Sequence, residues 1–284
     1  MKKGLLILLL LISCTIHETA PKLPGPDSCQ PGVVCKQLTP NILTVGSFNI
    51  QTFGKSKCEK EEVMLIIKDI VEDFDIVAVQ EIRDASGESP NILLDLLNSS
   101  KYGIVISPRL GRSSSKEQYA FYYDKNFATY KSSFVYDDSY DWFERPPFTA
   151  VFSINNTDYA FVNIHIKPED AKAEISHLKD AVADISTQNI IVLGDFNADG
   201  SYLDEKSKPG ITGLAYYIPD SYDTTVGKAF YTYDRMLGNV NILQSGVYKF
   251  DNVFSLSYEE AKSVSDHYPV YVLLDSVSVP QQKQ

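Results

Sequence analysis

The sequence predicts an α/β sandwich with mixed β-sheets, on three observations. Short apolar runs typical of strands alternate with longer segments whose apolar residues recur every three or four positions, as in helices. Several strand-like runs follow one another closely enough to form hairpins, which indicates antiparallel pairs beside parallel ones. The chain of 284 residues is 44% hydrophobic and has no fixed repeat or long internal linker, so one domain with a deep core is expected.

The predicted elements follow in order along the chain. A strand is expected over residues 42–50, a helix over 61–74, a buried strand over 75–79 and a helix over 90–97. Shorter β-rich segments follow at residues 103–107, 118–123, 127–136, 148–154 and 159–165. The apolar residues of 168–184 share one face of a predicted helix, and further strands are expected over 189–193, 233–237 and 267–274.

The N-terminal segment predicts export. Two lysines precede an apolar run, residues 5–12, that is too short to span a bilayer. Leu11-Ile12-Ser13-Cys14 resembles the lipobox of bacterial lipoproteins, so residues 1–14 are interpreted as a signal peptide with lipobox. By that resemblance Cys14 carries a lipid and anchors a cell-envelope lipoprotein to the membrane. Ordinary signal cleavage, which would give a secreted or periplasmic protein, is the alternative.

The expected domain organisation follows from these segments. Residues 15–40 are rich in proline and form a tether, residues 41–276 form the folded domain, and residues 277–284 form a C-terminal tail. Cys29 and Cys35 could close a small loop in an oxidising compartment, whereas Cys58 has no obvious partner. Sequence alone leaves the pairing of these three cysteines open.

The charge balance limits the classes of function. The formal net charge is −11 and the isoelectric point is about 4.8. This argues against a protein that coats nucleic acid by bulk counterion release. It is compatible with a nucleic-acid enzyme, because a divalent cation can neutralise a carboxylate cluster and bridge it to phosphate.

Polar clusters lie at the ends of apolar strand-like runs at four places. They are Ser47-Phe48-Asn49, Gln80-Glu81, Gly194-Asp195-Phe196-Asn197-Ala198-Asp199 and Ser265-Asp266-His267. A single aspartate at a strand end is more often a turn former or a cap. Four such clusters in one chain instead indicate a shared cation and a phosphate substrate.

These clusters contain candidate metal ligands and acid–base groups. Magnesium prefers oxygen ligands, usually one or two carboxylates beside substrate phosphate, and Glu81 and Asp266 suit that role. Asp195 and Asn197 would point the same way if the segment stays extended, so that they could orient water and steady a phosphoryl oxygen. His165 and His267 border apolar runs and are the candidate acid–base groups, with a core histidine as the alternative for each.

Taken in order, the motifs resemble the deoxyribonuclease I family of the endonuclease/exonuclease/phosphatase superfamily. The resemblance runs from about residue 41 to residue 274. The residues that carry it are Ser47-Phe48-Asn49-Ile50-Gln51-Thr52-Phe53-Gly54, Gln80-Glu81-Ile82-Arg83-Asp84, Leu110-Gly111-Arg112, Lys116-Glu117, Ile164-His165, Gly194-Asp195-Phe196-Asn197-Ala198-Asp199, Tyr233-Asp234-Arg235 and Ser265-Asp266-His267-Tyr268-Pro269-Val270. It implies a four-layered α/β sandwich of two packed mixed β-sheets flanked by helices.

The resemblance also implies a role for each candidate residue. Two carboxylate–histidine couples, Glu117 with His165 and Asp234 with His267, would flank the scissile phosphate. Glu81 would bind Mg²⁺ or Mn²⁺ with Asp266 close by, while Asp195, Asn197 and Asn49 would position water and phosphate. Arg83 and Arg112 would reach the minor groove of double-stranded DNA or its rim, and Arg145 would contact a phosphate.

Three positions depart from the family pattern. Gly200 and Tyr231 occupy the two positions of a family disulfide, so the adjacent loop must be held by other contacts. The implied calcium loop keeps Asp223 and Thr225, but Gly227 and Ala229 carry no ligand side chain, which argues against Ca²⁺ there. Ser115 stands where vertebrate members place a tyrosine that packs on a deoxyribose.

The sequence therefore favours an exported, metal-dependent DNA endonuclease over two alternatives. A phosphodiesterase or phosphatase of the same superfamily could act on a lipid or inositol phosphate, but it would not need Arg83 and Arg112. A catalytically inactive surface binding module would explain the missing disulfide and the depleted calcium loop. The presence of every proposed chemical residue argues against that second alternative.

Overall fold

Two six-stranded sheets form the frame of this protein. The computed structural model describes residues 42–112, 114, 116–204 and 208–276. Its strands are β1 (Ile42–Phe53), β2 (Ile76–Ile82), β3 (Tyr102–Ile106), β4 (Gln118–Asp124), β5 (Thr129–Val135), β6 (Phe148–Ile154), β7 (Thr157–His165), β8 (Asn189–Asp195), β9 (Ala215–Tyr216), β10 (Asp234–Gly238), β11 (Ile242–Val247) and β12 (Val270–Asp275). The helices are α1 (Lys55–Cys58), α2 (Glu61–Glu72), α3 (Ser89–Leu96), α4 (Ala171–Ala183), α5 (Phe250–Val253) and α6 (Tyr258–Val264).

The strand order confirms the predicted α/β sandwich with mixed sheets. The first sheet runs β11-β12-β1-β2-β4-β3 and the second runs β5-β6-β7-β8-β10-β9. Within the described residues each sheet contains one parallel pair, β1 with β2 and β7 with β8, among antiparallel neighbours. Helices connect both parallel pairs, as parallel strands require.

Three apolar layers hold the sandwich together. The layer between the sheets is dominated by aromatic and branched side chains such as Phe121, Phe161 and Val272. Helices α2, α3 and α6 cover the outer face of the first sheet, and α4 covers that of the second. Each fully buried side chain of this kind contributes roughly 1.5–3 kcal/mol, so the layers together supply the main driving force for folding.

The observed elements differ from the predicted ones mainly near polar segments. Strand β1 continues past residue 50 to Phe53 because a bulge accommodates the polar residues between Asn49 and Phe53. The final strand begins at Val270 rather than at His267, whose backbone instead pairs with Thr225 in an isolated bridge. The sequence reasoning missed α1, α5, α6, β9 and β11, which are short or lack a clear apolar period.

Several expectations concern segments outside the described residues. They are the signal peptide, the tether, the C-terminal tail, Ser115, and Cys14, Cys29 and Cys35. Cys58 is described and carries a free thiol. No helix among the described residues is both long and apolar enough to cross a membrane.

Candidate active site

Strand register brings the candidate residues to one end of the sandwich. In the second sheet His165 at the end of β7 lies beside Asp195 at the end of β8, and Asp195 lies opposite Asp234 at the start of β10. In the first sheet Asn49 of β1 lies beside Gln80 of β2. Residues far apart in sequence therefore meet because β1, β2, β7, β8 and β10 bring these positions to the same end of the sandwich.

Gly194 allows β8 to approach β7 closely just before Asp195. Its φ is +150°, and a Cβ at this position would lie 1.8 Å from the carbonyl oxygen of Ile164. Any other residue would push the two strands apart. The structure thus explains why the Gly-Asp-Phe-Asn motif begins with glycine, because this residue keeps Asp195 alongside His165.

The first carboxylate–histidine couple joins Glu117 to His165. Glu117 Oε2 lies 2.8 Å from His165 Nδ1, and both side chains are buried. Burial opposes ionisation of Glu117, but the hydrogen bond with His165 and the nearby Arg145 and Arg83 outweigh it and lower the pKa of Glu117 to about 2. Glu117 is therefore a carboxylate that fixes the orientation of the imidazole.

The second couple joins Asp234 to His267 with the same geometry. Asp234 Oδ2 lies 2.8 Å from His267 Nδ1. Burial by itself would lower the pKa of His267, but the carboxylates of Asp234 and Asp195 outweigh it and raise this pKa to about 10. The imidazole of His267 is therefore cationic at neutral pH and can donate a proton or hold an anion.

Both couples meet at a single oxygen of Asp195. His165 Nε2 lies 3.5 Å and His267 Nε2 lies 3.6 Å from Asp195 Oδ2, and Asn49 Nδ2 donates to the same oxygen at 3.0 Å. Each imidazole is fixed from behind by its carboxylate and presents Nε2 to a shared space. The structure thus brings together Asn49 and the five candidate catalytic residues, Glu117, His165, Asp195, Asp234 and His267.

The proposed metal ligands lie on the first-sheet side of this centre. Asn49 Nδ2 lies 3.3 Å from Glu81 Oε1, and Gln51 Nε2 donates to Asp266 Oδ2 at 2.8 Å. Glu81, Gln51 and Thr52 all have positive φ, which L-residues adopt at a cost. The bulges of β1 and β2 therefore impose a strained backbone at the rim where these carboxylates stand.

The donor chemistry of Glu81 and Asp266 fits Mg²⁺ or Mn²⁺. Both groups are carboxylates, and their partial exposure, 14% for Glu81 and 35% for Asp266, leaves room for water and a phosphate oxygen. A second group, formed by Asp195, Asp234 and His267, offers three ligand atoms within 4.8 Å of one another. That group is buried, and two of its members, Asp234 and His267, form the second couple.

The three candidate arginines are all engaged with other residues of the chain. Arg83 Nη2 donates to Glu117 Oε1 at 2.9 Å and lies 3.4 Å from Glu81 Oε2, so it links the metal side to the first couple. Arg145 is 8% exposed and donates through Nε to the carbonyl of His165 at 3.1 Å. Arg112 is held at the surface by Asp141, whose carboxylate lies 2.7 Å from its Nε.

Asn197 differs from the extended arrangement that the sequence suggested. Its φ is +47°, so the segment turns instead of staying extended after Asp195. Its Nδ2 donates to the carbonyl of Ile166 at 2.9 Å, and its backbone N–H donates to Asp195 Oδ1 at 3.0 Å. Asn197 therefore holds the Asp195 carboxylate in place through its backbone.

The loop around Asp223 already contains a cation, the ammonium of Lys249. Lys249 Nζ donates to the carbonyl of Asp223 at 2.8 Å and lies 3.3 Å from its Oδ2. The other carboxylate oxygen accepts from the hydroxyl of Thr225 at 3.0 Å. With its oxygens used in this way, the loop does not fit a bound calcium ion.

This arrangement predicts that the loop is stable without calcium. Lys249→Met should lower the free energy of unfolding by about 1–2 kcal/mol, because Asp223 loses a charged hydrogen-bond partner. Thermal unfolding of Asp266→Asn, which impairs the proposed metal site, should give the same midpoint with EDTA as with calcium. A midpoint that still rises with calcium in that variant would contradict the assignment, and Lys131→Met, on an exposed part of β5, is the control for Lys249→Met.

Aromatic packing replaces the disulfide that the resemblance places at Gly200 and Tyr231. Gly200 has a φ of +62°, and a Cβ there would lie 2.8 Å from the ring of Tyr231. The Tyr231 ring stacks on Tyr233 at 5.0 Å between centroids. Asp199 Oδ2 also accepts from the backbone N–H of Thr232 at 2.7 Å. The two loop segments remain in contact through these interactions.

Several residues that support the site were not predicted from the sequence. Lys57 Nζ donates to the carbonyls of Ile50 and Val264 and so ties the end of β1 to the segment before Asp266. The hydroxyl of Tyr119 accepts from the backbone N–H of His165. The buried Arg235 donates to the carbonyl of Ala198. Of these residues, only Arg235 could have been singled out from the sequence, since it ends the Tyr-Asp-Arg motif.

Comparison of the amino-acid sequence relates this chain to known proteins. The profile of the Endonuclease/Exonuclease/phosphatase family matches residues 46–267. Deoxyribonuclease gamma of Mus musculus is 37% identical over 263 residues, covering 82% of this chain and 85% of that protein. Deoxyribonuclease-1 of Gallus gallus is 36% identical over 259 residues, covering 82% of this chain and 92% of that protein.

Solved structures share the fold at much lower identity. A mannosyl-6-phosphatase of Bacteroides thetaiotaomicron superposes with a TM-score of 0.59 at 18% sequence identity. The match covers 82% of this chain and 99% of that chain. Such a likeness supports the sandwich architecture and carries no information about the substrate of this chain.

Proposed function

This chain belongs to the endonuclease/exonuclease/phosphatase family and is a deoxyribonuclease I-like member of it. We therefore propose that it is a divalent-metal-dependent endonuclease that hydrolyses phosphodiester bonds of double-stranded DNA. The observation that carries the proposal is the meeting of two carboxylate–histidine couples at one oxygen of Asp195. A phosphodiester bound there would have a proton acceptor on one side and a proton donor on the other.

The proposed chemistry is an in-line attack of water on phosphorus. Asp195 Oδ2 holds the water. His165 Nε2 lies 3.5 Å from that carboxylate oxygen and takes a proton from the water, while Glu117 supports the imidazolium that forms. His267 begins as a cation and gives its proton to the leaving oxygen through Nε2. The bond from water oxygen to phosphorus forms as the bond to the leaving oxygen breaks.

A divalent cation completes the proposed site. Glu81 and Asp266 would hold it, with the amide of Asn49 placed between Glu81 and Asp195. When bound, such an ion supplies positive charge that stabilises the phosphoryl oxygens in the transition state. Arg83 contacts both Glu81 and Glu117, so it fixes the position of this metal ligand relative to the first couple.

The arginines and Asn197 have wider roles in this proposal than binding DNA alone. Arg112 is the surface cation that would contact DNA, and releasing it from Asp141 would accompany binding. Arg145 and Asn197 hold the backbone and carboxylate groups around the phosphate. Because Arg83 contacts two site carboxylates, its replacement would impair hydrolysis of any phosphate ester and does not discriminate DNA from a lipid substrate.

The experiment that tests the proposal is plasmid nicking by the purified chain in a metal series. Conversion of supercoiled to open-circular plasmid is expected with Mg²⁺ or Mn²⁺ and is expected to stop in EDTA. Sphingomyelin and inositol phosphates, assayed in parallel, test the same-superfamily alternative directly. An intact plasmid in Mg²⁺, Mn²⁺ and Ca²⁺ would overturn the proposal.

We also propose that the chain is exported and anchored through a lipid at Cys14. The support is the charged and apolar leader followed by Leu11-Ile12-Ser13-Cys14. Cell fractionation of the full chain beside Cys14→Ser tests it. The wild type is expected with the membranes and the variant in the soluble exported fraction, and equal release of both would reject the anchor.

A further inference from the structure

Buried polar side chains lie between the two sheets, next to the site, and the chemistry above does not use them. They are Ser47 of β1, Gln80 of β2 and Asn163 of β7, each 0% exposed. Because alternate residues of a strand share a face, the inner face of β7 continues from the apolar Phe161 through Asn163 to His165. These polar groups therefore separate the apolar layer between the sheets from the site. We refer to them as the polar layer.

Hydrogen bonds of the polar layer cross from one sheet to the other. Gln80 Nε2 donates to Asn163 Oδ1 at 2.7 Å and to Ser47 Oγ at 3.1 Å. Asn163 Nδ2 donates to the carbonyls of Val79 at 3.1 Å and Ala120 at 3.3 Å, in β2 and β4 of the first sheet. The side chain of Asn163 is thus bound to two strands of the first sheet directly and to a third, β1, through Gln80.

The two strands joined by the Gln80–Asn163 hydrogen bond carry groups from opposite sides of the site. Glu81 follows Gln80 directly, and His165 follows Asn163 by two residues. The proposed hydrolysis needs the metal ligand Glu81 and the proton acceptor His165 at one phosphate. Apolar contacts are non-directional, so they define the offset between the sheets less sharply than hydrogen bonds do. The polar layer is therefore placed to set the relative position of these two groups.

Stability alone does not explain the polar layer. Burying an amide carries a desolvation cost that its hydrogen bonds only partly offset, and replacing both partners by apolar groups of the same shape is commonly neutral or stabilising. Gln80 Oε1 is buried and accepts no hydrogen bond from any described residue, so the cost is not fully offset here. The geometry that the layer imposes on the site accounts for it better.

We propose that the hydrogen bond from Gln80 to Asn163 positions the metal ligand Glu81 relative to the couple of His165. The proposal rests on the proposed nuclease function and deepens it. Gln80 and Asn163 are buried beneath the site, so they are positioning residues that act through the residues after them. A misplacement of about 1 Å can lower a rate by about 10²-fold, so breaking this bond should slow the chemical step. Binding of DNA at the surface should change little.

The first test is Gln80→Met, which breaks the bond while Asn163 keeps its two backbone acceptors. Its kcat for plasmid nicking in Mg²⁺ is expected to fall by about 10–100-fold with little change in KM. Ser276→Ala is the matched control. Ser276 Oγ accepts from Asn155 Nδ2 at 2.8 Å, and this hydrogen bond also joins the two sheets, but at the end remote from the site. The control should keep the kcat of the wild type.

The double variant Gln80→Met/Asn163→Leu separates positioning from stability. Each single variant leaves a buried amide without its partner and should lower the midpoint of thermal unfolding by roughly 2–8 °C. The double variant replaces both amides by apolar groups and should regain most of that loss. Its kcat should nevertheless stay as low as that of Gln80→Met, because the bond is absent in both.

A stable double variant that nicks DNA at the rate of the wild type would overturn the positioning role. If the double variant does not fold, Gln80→Met decides alone, and a kcat equal to that of Ser276→Ala would overturn the role in the same way. A wild type that leaves DNA intact in every metal would instead reject the proposed function, and the positioning role with it.

Discussion

His165→Ala and His267→Ala are each expected to lower the rate of plasmid nicking by a factor of about 10²–10⁴. Each imidazole presents Nε2 to Asp195 Oδ2, at 3.5 and 3.6 Å, and each is fixed from behind by a carboxylate at 2.8 Å. Alanine can take over neither function, and among the described residues no other imidazole lies within ion-pair distance of Asp195. The measurement is the initial rate of open-circle formation in Mg²⁺.

The two replacements should not be additive. If His165 and His267 act on the same transition state, removing the second after the first should cost much less than its single effect. The double variant is therefore expected within about tenfold of the slower single variant. Effects that multiply fully would indicate that the two couples act in separate steps.

His177 provides a matched control on the same protein. It lies on α4, stacks on Trp142 at 4.1 Å between ring centroids and lies 3.4 Å from Asp180. His177→Ala should keep the nicking rate of the wild type because the ring has no contact with the two couples. If His165→Ala nicked as fast as His177→Ala, the inactive-module alternative would gain support.

The pairing of these residues illustrates what could be predicted from the sequence. Strand-tip clusters at Asn49, Glu81, Asp195 and Asp266 are local features, and parallel neighbours necessarily bring such tips together. The register between β7 and β8 sets His165 beside Asp195, and Gly194 allows the two strands to approach closely there. The fold class and the approximate positions of most long strands could therefore be read from periodicity.

Other features depend on tertiary contacts that leave no local pattern. Lys57 looks like an ordinary surface lysine in a short polar helix, yet it is 8% exposed and bonds to two carbonyls. Lys249 lies 26 residues from Asp223, so its role as the cation of that loop could not be foreseen. The turn at Asn197 depends on a carbonyl of a different strand end, that of Ile166.

Replacement of Asp234 by asparagine tests the electrostatic half of the proposal, because it removes one of the charges that keep His267 cationic. The pKa of His267 is raised to about 10, with burial opposing the shift and Asp234 and Asp195 producing it. Without the Asp234 charge this pKa must fall, so that the proton on His267 is lost at lower pH. The alkaline limit of nicking should therefore move to lower pH in Asp234→Asn.

The rate of Asp234→Asn should also fall by roughly 10²–10⁴ at pH 8, because an amide at this position can favour the wrong tautomer of the imidazole as well as lose its charge. Nicking measured from pH 6 to pH 10 separates the two effects: the shifted limit reports the lost charge, and the lower plateau reports the lost orientation. Asp251→Asn is the control, since Asp251 accepts from the hydroxyl of Tyr268, next to His267, and does not touch the imidazole. An unchanged alkaline limit in Asp234→Asn would show that the proton on His267 is not the one that nicking requires, and His267 would then be assigned to holding the phosphate.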